Sequence, residues 1–231
     1  MLRYHPPKRQ PPTIGERNNS QVNPDSQQSL HLPRQAPVMV LPNAVLIPNA
    51  LLPLRIFEQQ YRDMLQWCLE HDRIFCIAMR DPAKSGAGPR NFLPVGGAGL
   101  VRVCLAQDDG TSNLVLQGLA RVKFGPLVQV EPFRMVKLTL CETDCPNLVE
   151  AEALGVKVLE ICGRLRDDGR QLPEELMDKL RQVTDPEVLA DVVTQTFLRE
   201  PMQQQSLMEE TSVSARLRLL IRYLQAEGVT G

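Results

Sequence analysis

Proline placement sets the limits on where regular structure can run in this 231-residue chain. Seven of the 19 prolines (Pro6, Pro7, Pro11, Pro12, Pro24, Pro33 and Pro37) fall in residues 1–37, beside five glutamines and three asparagines. A segment so poor in large apolar side chains cannot offset its ordering entropy, so 1–37 reads as a disordered Pro/Gln-rich tail. It holds no apolar stretch that could serve as a signal peptide. Three more prolines punctuate the apolar runs Val38–Leu41, Ala44–Ile47 and Leu51–Leu54, which fits short edge strands and turns rather than a helix.

The period then changes. Phe57, Tyr61, Met64, Leu65, Cys68 and Leu69 recur at helical spacing and predict a helix over 57–69 with all six facing the core. Ile74–Met79 reads as a buried strand, and Asp81–Pro94 as a long, mobile loop able to close over a ligand. Val95–Ala106 reads as a strand in which Gly96, Gly97 and Gly99 mark a bulge or a close backbone approach. Asp108-Asp109-Gly110 predicts a hairpin, Leu114–Phe124 the returning strand, Gly125-Pro126 a turn, and Leu127–Leu140 a last strand broken at Pro132.

Beyond that point the pattern is helical. Leu154, Val158, Leu159, Cys162 and Leu165 share one face. Asp185-Pro186-Glu187 is a helix start, with an acidic N-cap and proline at N1. The buried stripe of that helix is Val188, Leu189, Val192, Val193 and Phe197. Pro201 opens a shorter segment with Leu207 and Met208. In 214–225, Leu217, Leu220, Ile221 and Leu224 point inward, while Arg216, Arg218 and Arg222 form a solvated outer face. The expected fold is α+β: 38–145 β-rich with an inserted helix, then 146–231 helical.

Charge and composition exclude several functions. Removing the tail leaves 21 basic and 25 acidic side chains, and aromatics make up 4% of the chain, which disfavours a nucleic-acid surface. No run approaches the length that spans a bilayer. No P-loop or dinucleotide fingerprint is present. His5 and His31 lie in the tail, so His71, at a helix end, is the body's only histidine; its expected role is interaction with that helix C-terminus. Lys84-Ser85, adjacent on a loop, is poorly placed as a nucleophile and base. Asp167-Asp168 and Glu174-Glu175 read as solvated acids. Cys68, Cys76, Cys104, Cys141, Cys145 and Cys162 read as reduced thiols, because the only clustered set, Cys141, Cys145 and Cys162, falls short of four zinc ligands. No catalytic, cofactor-binding or metal-binding residue is therefore assigned.

The run from Leu41 to Arg62 resembles the start of the Lon protease N-terminal domain, with its proline-rich hairpin followed by L-P-L-x-I-F-E-x-R-Y. Here Leu52-Pro53-Leu54-Arg55-Ile56-Phe57-Glu58-Gln59-Gln60-Tyr61 stands in that place, with Gln60 for the usual arginine and Pro48-Asn49 for the usual P-G turn. Val95–Gly99, Asp109–Gly118 and Leu189–Leu224 resemble later blocks, so the likeness spans about 38–225. It implies a PUA-like β pseudobarrel followed by a helical subdomain. It further implies a non-catalytic module, cytoplasmic, that binds unfolded or exposed polypeptide segments as an adaptor or regulator in protein quality control, alongside a protease or chaperone. The ATPase and peptidase motifs of full Lon proteases are not in this sequence. The alternative implied by PUA-like barrels is RNA binding. Local ion pairing or helix capping is expected of Arg55 and Glu58, and the polypeptide contacts remain unassigned because each strand's outward face depends on its register.

Overall fold

Two apolar runs in this chain become strands covered on both faces, which is why neither alternates with polar residues. In a computed structural model that describes residues 32–84, 88–167 and 174–227, β1 (Gln35–Leu41) pairs in parallel with β3 (Ile74–Met79), Val38 opposite Cys76 and Leu41 opposite Met79. The other strands are β2 (Leu51–Ile56), β4 (Val95–Ala106), β5 (Ser112–Gln129) and β6 (Met135–Leu140). Their order is β2-β5-β4-β3-β1-β6, and the far half of β5 also pairs with β6. The sheet thus closes on itself through β5, leaving β2 as an appended edge strand paired with the near half of β5. Pro53 in mid-strand is compatible with that edge position.

Helix α1 (Gln59–Glu70) crosses between β2 and β3 and buries Tyr61, Met64, Leu65 and Cys68 with Met39, Phe75 and Ile77. The opposite faces of β1 and β3 pack with Ala98, Val122, Phe124 and Val136. The helices α2 (Leu148–Asp167), α3 (Glu174–Arg181), α4 (Pro186–Phe197), α5 (Pro201–Glu209) and α6 (Val213–Glu227) build a separate core around Val158, Cys162, Leu189, Val193, Leu217 and Leu220. The expected α+β architecture is the observed one.

Several local expectations change. Of the segment expected as tail, residues 1–31 lie outside the described residues; Gln35–Pro37 belong to β1, where Ala36 is fully buried opposite Val136. Ala44–Ile47 is not a strand. It is a buried strap whose Val45, Leu46 and Ile47 fill gaps beside the sheet. The glycines explain how: a Cβ on Gly97 would stand 2.0 Å from the Leu46 carbonyl oxygen, and one on Gly118 2.1 Å from that of Ile47. The close approach expected at the β4 glycines is this strap, and a register shift falls at Ala98/Gly99. Gly125-Pro126 is not a turn. β5 runs through it with a shifted register, and the chain reverses at 130–134. The described parts of the 81–94 loop are anchored: Phe92 is buried edge-on to Phe124, and Leu93 N–H donates to Met79 O at 2.9 Å. Helix α3 lies in the half expected to be helical, and it begins at the Glu174-Glu175 pair.

Candidate functional site

The residues singled out for chemistry are scattered. His71 ends α1, with its ring Nδ1 2.7 Å from the Trp67 carbonyl oxygen and its ring stacked on Trp67 at 3.9 Å. This is the helix-terminus role expected of it. Lys84 pairs with Asp81 at 3.1 Å, while Ser85 lies outside the described residues. Asp168 is likewise outside them; Asp167 closes α2 and Glu174 opens α3. Cys68, Cys76 and Cys162 are buried, Cys104 and Cys141 half-buried, and Cys145 exposed. Burial holds the Cys68 thiol well above the ordinary value, at about 12, and raises that of Cys76 as well. Such thiols are inert packing groups. Among the described residues no cluster of three His, Cys, Asp or Glu side chains could hold a metal.

Two assignments made from helical spacing are corrected. Arg216 is not on a solvated face: it is fully buried, although Arg218 and Arg222 are exposed as expected. Its Nη1 donates to Glu187 Oε1 at 3.0 Å, and its other nitrogens to the Glu210 carbonyl oxygen. Arg121 from β5 meets the same acids, donating to Glu187 at 3.2 Å and clasping both oxygens of Asp191. The Thr143 hydroxyl completes the set, donating to Glu187 at 2.7 Å. A buried charge is tolerable only when paired and hydrogen-bonded, and this network pairs every charge and satisfies its donors except Arg121 Nε, which has no acceptor. Burial pushes Asp191 up despite its two arginines; at Glu187 burial acts in the same sense, but Thr143, Arg216 and Arg121 outweigh it and lower the carboxyl. The network joins β5 to α4 and α6, so its role is structural. The sequence signal missed was four charges on otherwise apolar faces: Arg121 in β5, Glu187 and Asp191 in α4, and Arg216 in α6.

The second correction is Phe57. It precedes the N-cap residue Glu58, so helical spacing does not govern it, and it stands 62% exposed rather than in the core. Tyr61 is buried as expected, its hydroxyl donating to Val40 O at 3.2 Å. Arg55 does not pair with Glu58 but reaches Asp109 at 3.7 Å, and Glu58 accepts from Gln60 Nε2 at 2.8 Å.

Register shows what Phe57 adjoins. Across β2, β5 and β4 the outward rows are Leu51–Gln117–Leu100, Pro53–Val115–Val103 and Arg55–Asn113–Leu105. The intervening rows, Leu52–Leu116–Val101 and Leu54–Leu114–Cys104, turn inward. A bulge at Arg102 keeps Val103 and Leu105 on the outer side, and Arg102 bonds Gln117 there. The outer face therefore shows Leu51 and Leu105, each 59% exposed, with Pro53 and Val103 between them and Phe57 at the end of β2. The second edge of β2 pairs with no strand among the described residues. An apolar face beside an open strand edge can hold an extended segment by main-chain hydrogen bonds and alternate side-chain burial.

Residues 35–226 match the family of the ATP-dependent protease La (LON) substrate-binding domain. The Lon protease of Dictyoglomus thermophilum is 24% identical over 200 residues, covering 87% of this chain and 25% of its own length. That of Escherichia coli is 23% identical, covering 89% and 26%. The chain thus spans about a quarter of the length of the curated relatives it matches. Among solved structures, the N-terminal domain of Mycobacterium avium complex Lon protease superposes with a TM-score of 0.66 at 20% identity, covering 83% of this chain and 98% of that one. A Lon N-terminal domain protein from Xanthomonas campestris gives 0.56 at 19% identity, covering 82% and 98%.

Proposed function

The chain belongs to the LON substrate-binding domain family, and from that premise we propose that it is a non-catalytic module that captures unfolded or exposed polypeptide segments on the outer face of β2, β5 and β4. The observation that carries this reading is the outward group of Leu51, Pro53, Val103 and Leu105, spread over three cross-strand rows of a face that ends at the open edge of β2. A segment laid antiparallel or parallel to β2 gains backbone hydrogen bonds at the free edge, with alternate side chains against Leu51 and Pro53, and chain continuing over the outer face buries apolar groups against Val103 and Leu105. Phe57 adds an aromatic anchor at one end. The hydrophobic contribution scales with buried apolar area, so segments exposed by unfolding are preferred over folded surfaces. Binding without turnover suits an adaptor or regulator in protein quality control, working in the cytoplasm alongside a protease or chaperone.

RNA binding receives no support from this surface. Phe57 is the only aromatic among the large exposed apolar side chains of the described residues, and bases need aromatic platforms. Hydrogen exchange with and without an unfolded client tests the reading. Protection should appear in β2 and β4 at saturating client and persist as salt is raised. Protection confined to α2–α6, or affinity that collapses with salt as phosphate contacts do, would refute it.

A further inference from the structure

A cavity of about 710 Å³ opens where the C-terminal ends of the parallel strands β1 and β3 meet the start of α1. Val40, Leu41 and Pro42 form its apolar wall, and Arg80, Lys84 and Arg134 bring three cations against the single carboxylate of Glu58. This is a local basic excess in a chain of net charge −1. Lys84 is already paired with Asp81. Arg80 and Arg134 are not: neither guanidinium has a carboxylate partner among the described residues. The Nε of Arg134 is buried with no hydrogen-bond partner, a donor that costs free energy until an acceptor meets it. Tyr61 lines the same cavity as both arginines and Glu58. Glu58 makes no side-chain cap for α1 and instead accepts from Gln60, so the positive end of the helix dipole adds to the cations.

We propose that this cavity takes the free carboxyl end of a polypeptide chain, an inference that rests on the polypeptide-binding reading above. A guanidinium fork matches the planar geometry of a carboxylate, and two arginines line this cavity. The wall at the end of β1 accommodates an apolar last residue, and the volume suits a short chain end rather than a folded partner. β2 leads through Phe57 directly to Glu58 on the cavity rim, so the strand-edge face and the carboxylate pocket are consecutive along the chain.

The test is fluorescence anisotropy with a short N-terminally labelled peptide ending in leucine, prepared as the free acid and as the carboxamide. The free acid should bind the full chain about tenfold tighter or more, the difference expected for charge-assisted hydrogen bonds. Arg80→Gln and Arg134→Gln should each remove most of that preference while leaving the circular dichroism spectrum and urea midpoint unchanged. Equal binding of acid and amide, or arginine variants that keep the preference, would overturn the assignment. So would displacement by inorganic phosphate at concentrations where the peptide acid fails to compete, which marks a general anion site. Client protection at β2 and β4 without an acid preference removes the pocket and spares the polypeptide face; an acid preference without that protection does the reverse.

Discussion

The carbonyl oxygens of Leu46 and Ile47 leave no room for side chains at Gly97 and Gly118. They are backbone atoms of a strap held by Asn49 N–H donating to Gly118 O at 3.0 Å, so they cannot swing aside as a side chain would. Gly97→Ala should therefore cost about 2–4 kcal/mol in urea unfolding, near the upper range for overpacking. A cost below about 0.5 kcal/mol would mean that the strap is loosely seated. The buried thiols give a second prediction. Folding raises the Cys68 pKa to about 12 and raises that of Cys76, so each binds its proton more tightly folded than unfolded. Their stabilisation is complete below the unfolded thiol value and is lost as pH rises from there through the folded value. Between about pH 7.5 and about pH 10 each buried thiol should account for about 2 kcal/mol of lost stability, given an unfolded pKa of about 8.5. The Cys68→Ala, Cys76→Ala variant should lose correspondingly less over the same interval; an unchanged pH slope would refute the assignment. Alkylation should reach exposed Cys145 well before either.

At the scale of elements, the start of α4 was fully legible from Asp185-Pro186-Glu187. The Asp185 carboxylate accepts from the backbone N–H groups of Glu187 at 2.8 Å and Val188 at 3.5 Å, with Pro186 at N1. Asp185→Ala should cost about 1 kcal/mol by thermal or urea unfolding. Periodicity also placed α1, α2 and α6, and continuous apolar runs placed β1 and β3. It failed where a tertiary partner decides a side chain's direction. Arg216 has the spacing of a surface arginine, and the acids Glu187 and Asp191 from a different helix, with the Glu210 carbonyl oxygen, draw it inward. Phe57 has helical spacing but sits before the cap. The outer face of β2, β5 and β4 was unreadable because the bulge at Arg102 changes which residues of β4 face out. That face supplies its own prediction. Leu105→Asp should weaken binding of an unfolded client at least about tenfold by placing a charge in an apolar contact, with the melting temperature little changed because Leu105 is exposed. A variant that binds as tightly as the parent would remove β4 from the contact surface.

For the whole molecule, the question is whether barrel and helices stand or fall together. The described residues between 32 and 227 form one compact unit. Three features tie the helices to the strands. Met208 of α5 is fully buried with Val45, Ile47 and Met79. Gln205 Nε2 donates to the Val95 carbonyl oxygen at 2.9 Å. The Arg121–Asp191–Glu187–Arg216 network holds β5 against α4 and α6. Breaking such a network by removing one partner strands the other charges in a dry site. Arg216→Met should therefore cost about 3–5 kcal/mol, even though methionine fills much of the same space. The tool for deciding how that loss is distributed is built into the sequence. Trp67, the only tryptophan, lies on α1 beside the barrel and reports on that half, while far-ultraviolet circular dichroism is dominated by α2–α6. Coincident fluorescence and dichroism transitions in urea are the mark of a single cooperative unit. They should coincide in the parent chain, and both should shift to lower urea in Arg216→Met, because the apolar contact through Met208 still couples the two halves. If dichroism were lost at a lower urea concentration than Trp67 fluorescence, the helical part would be unfolding on its own. The barrel would then be the independently stable carrier of the polypeptide-binding face.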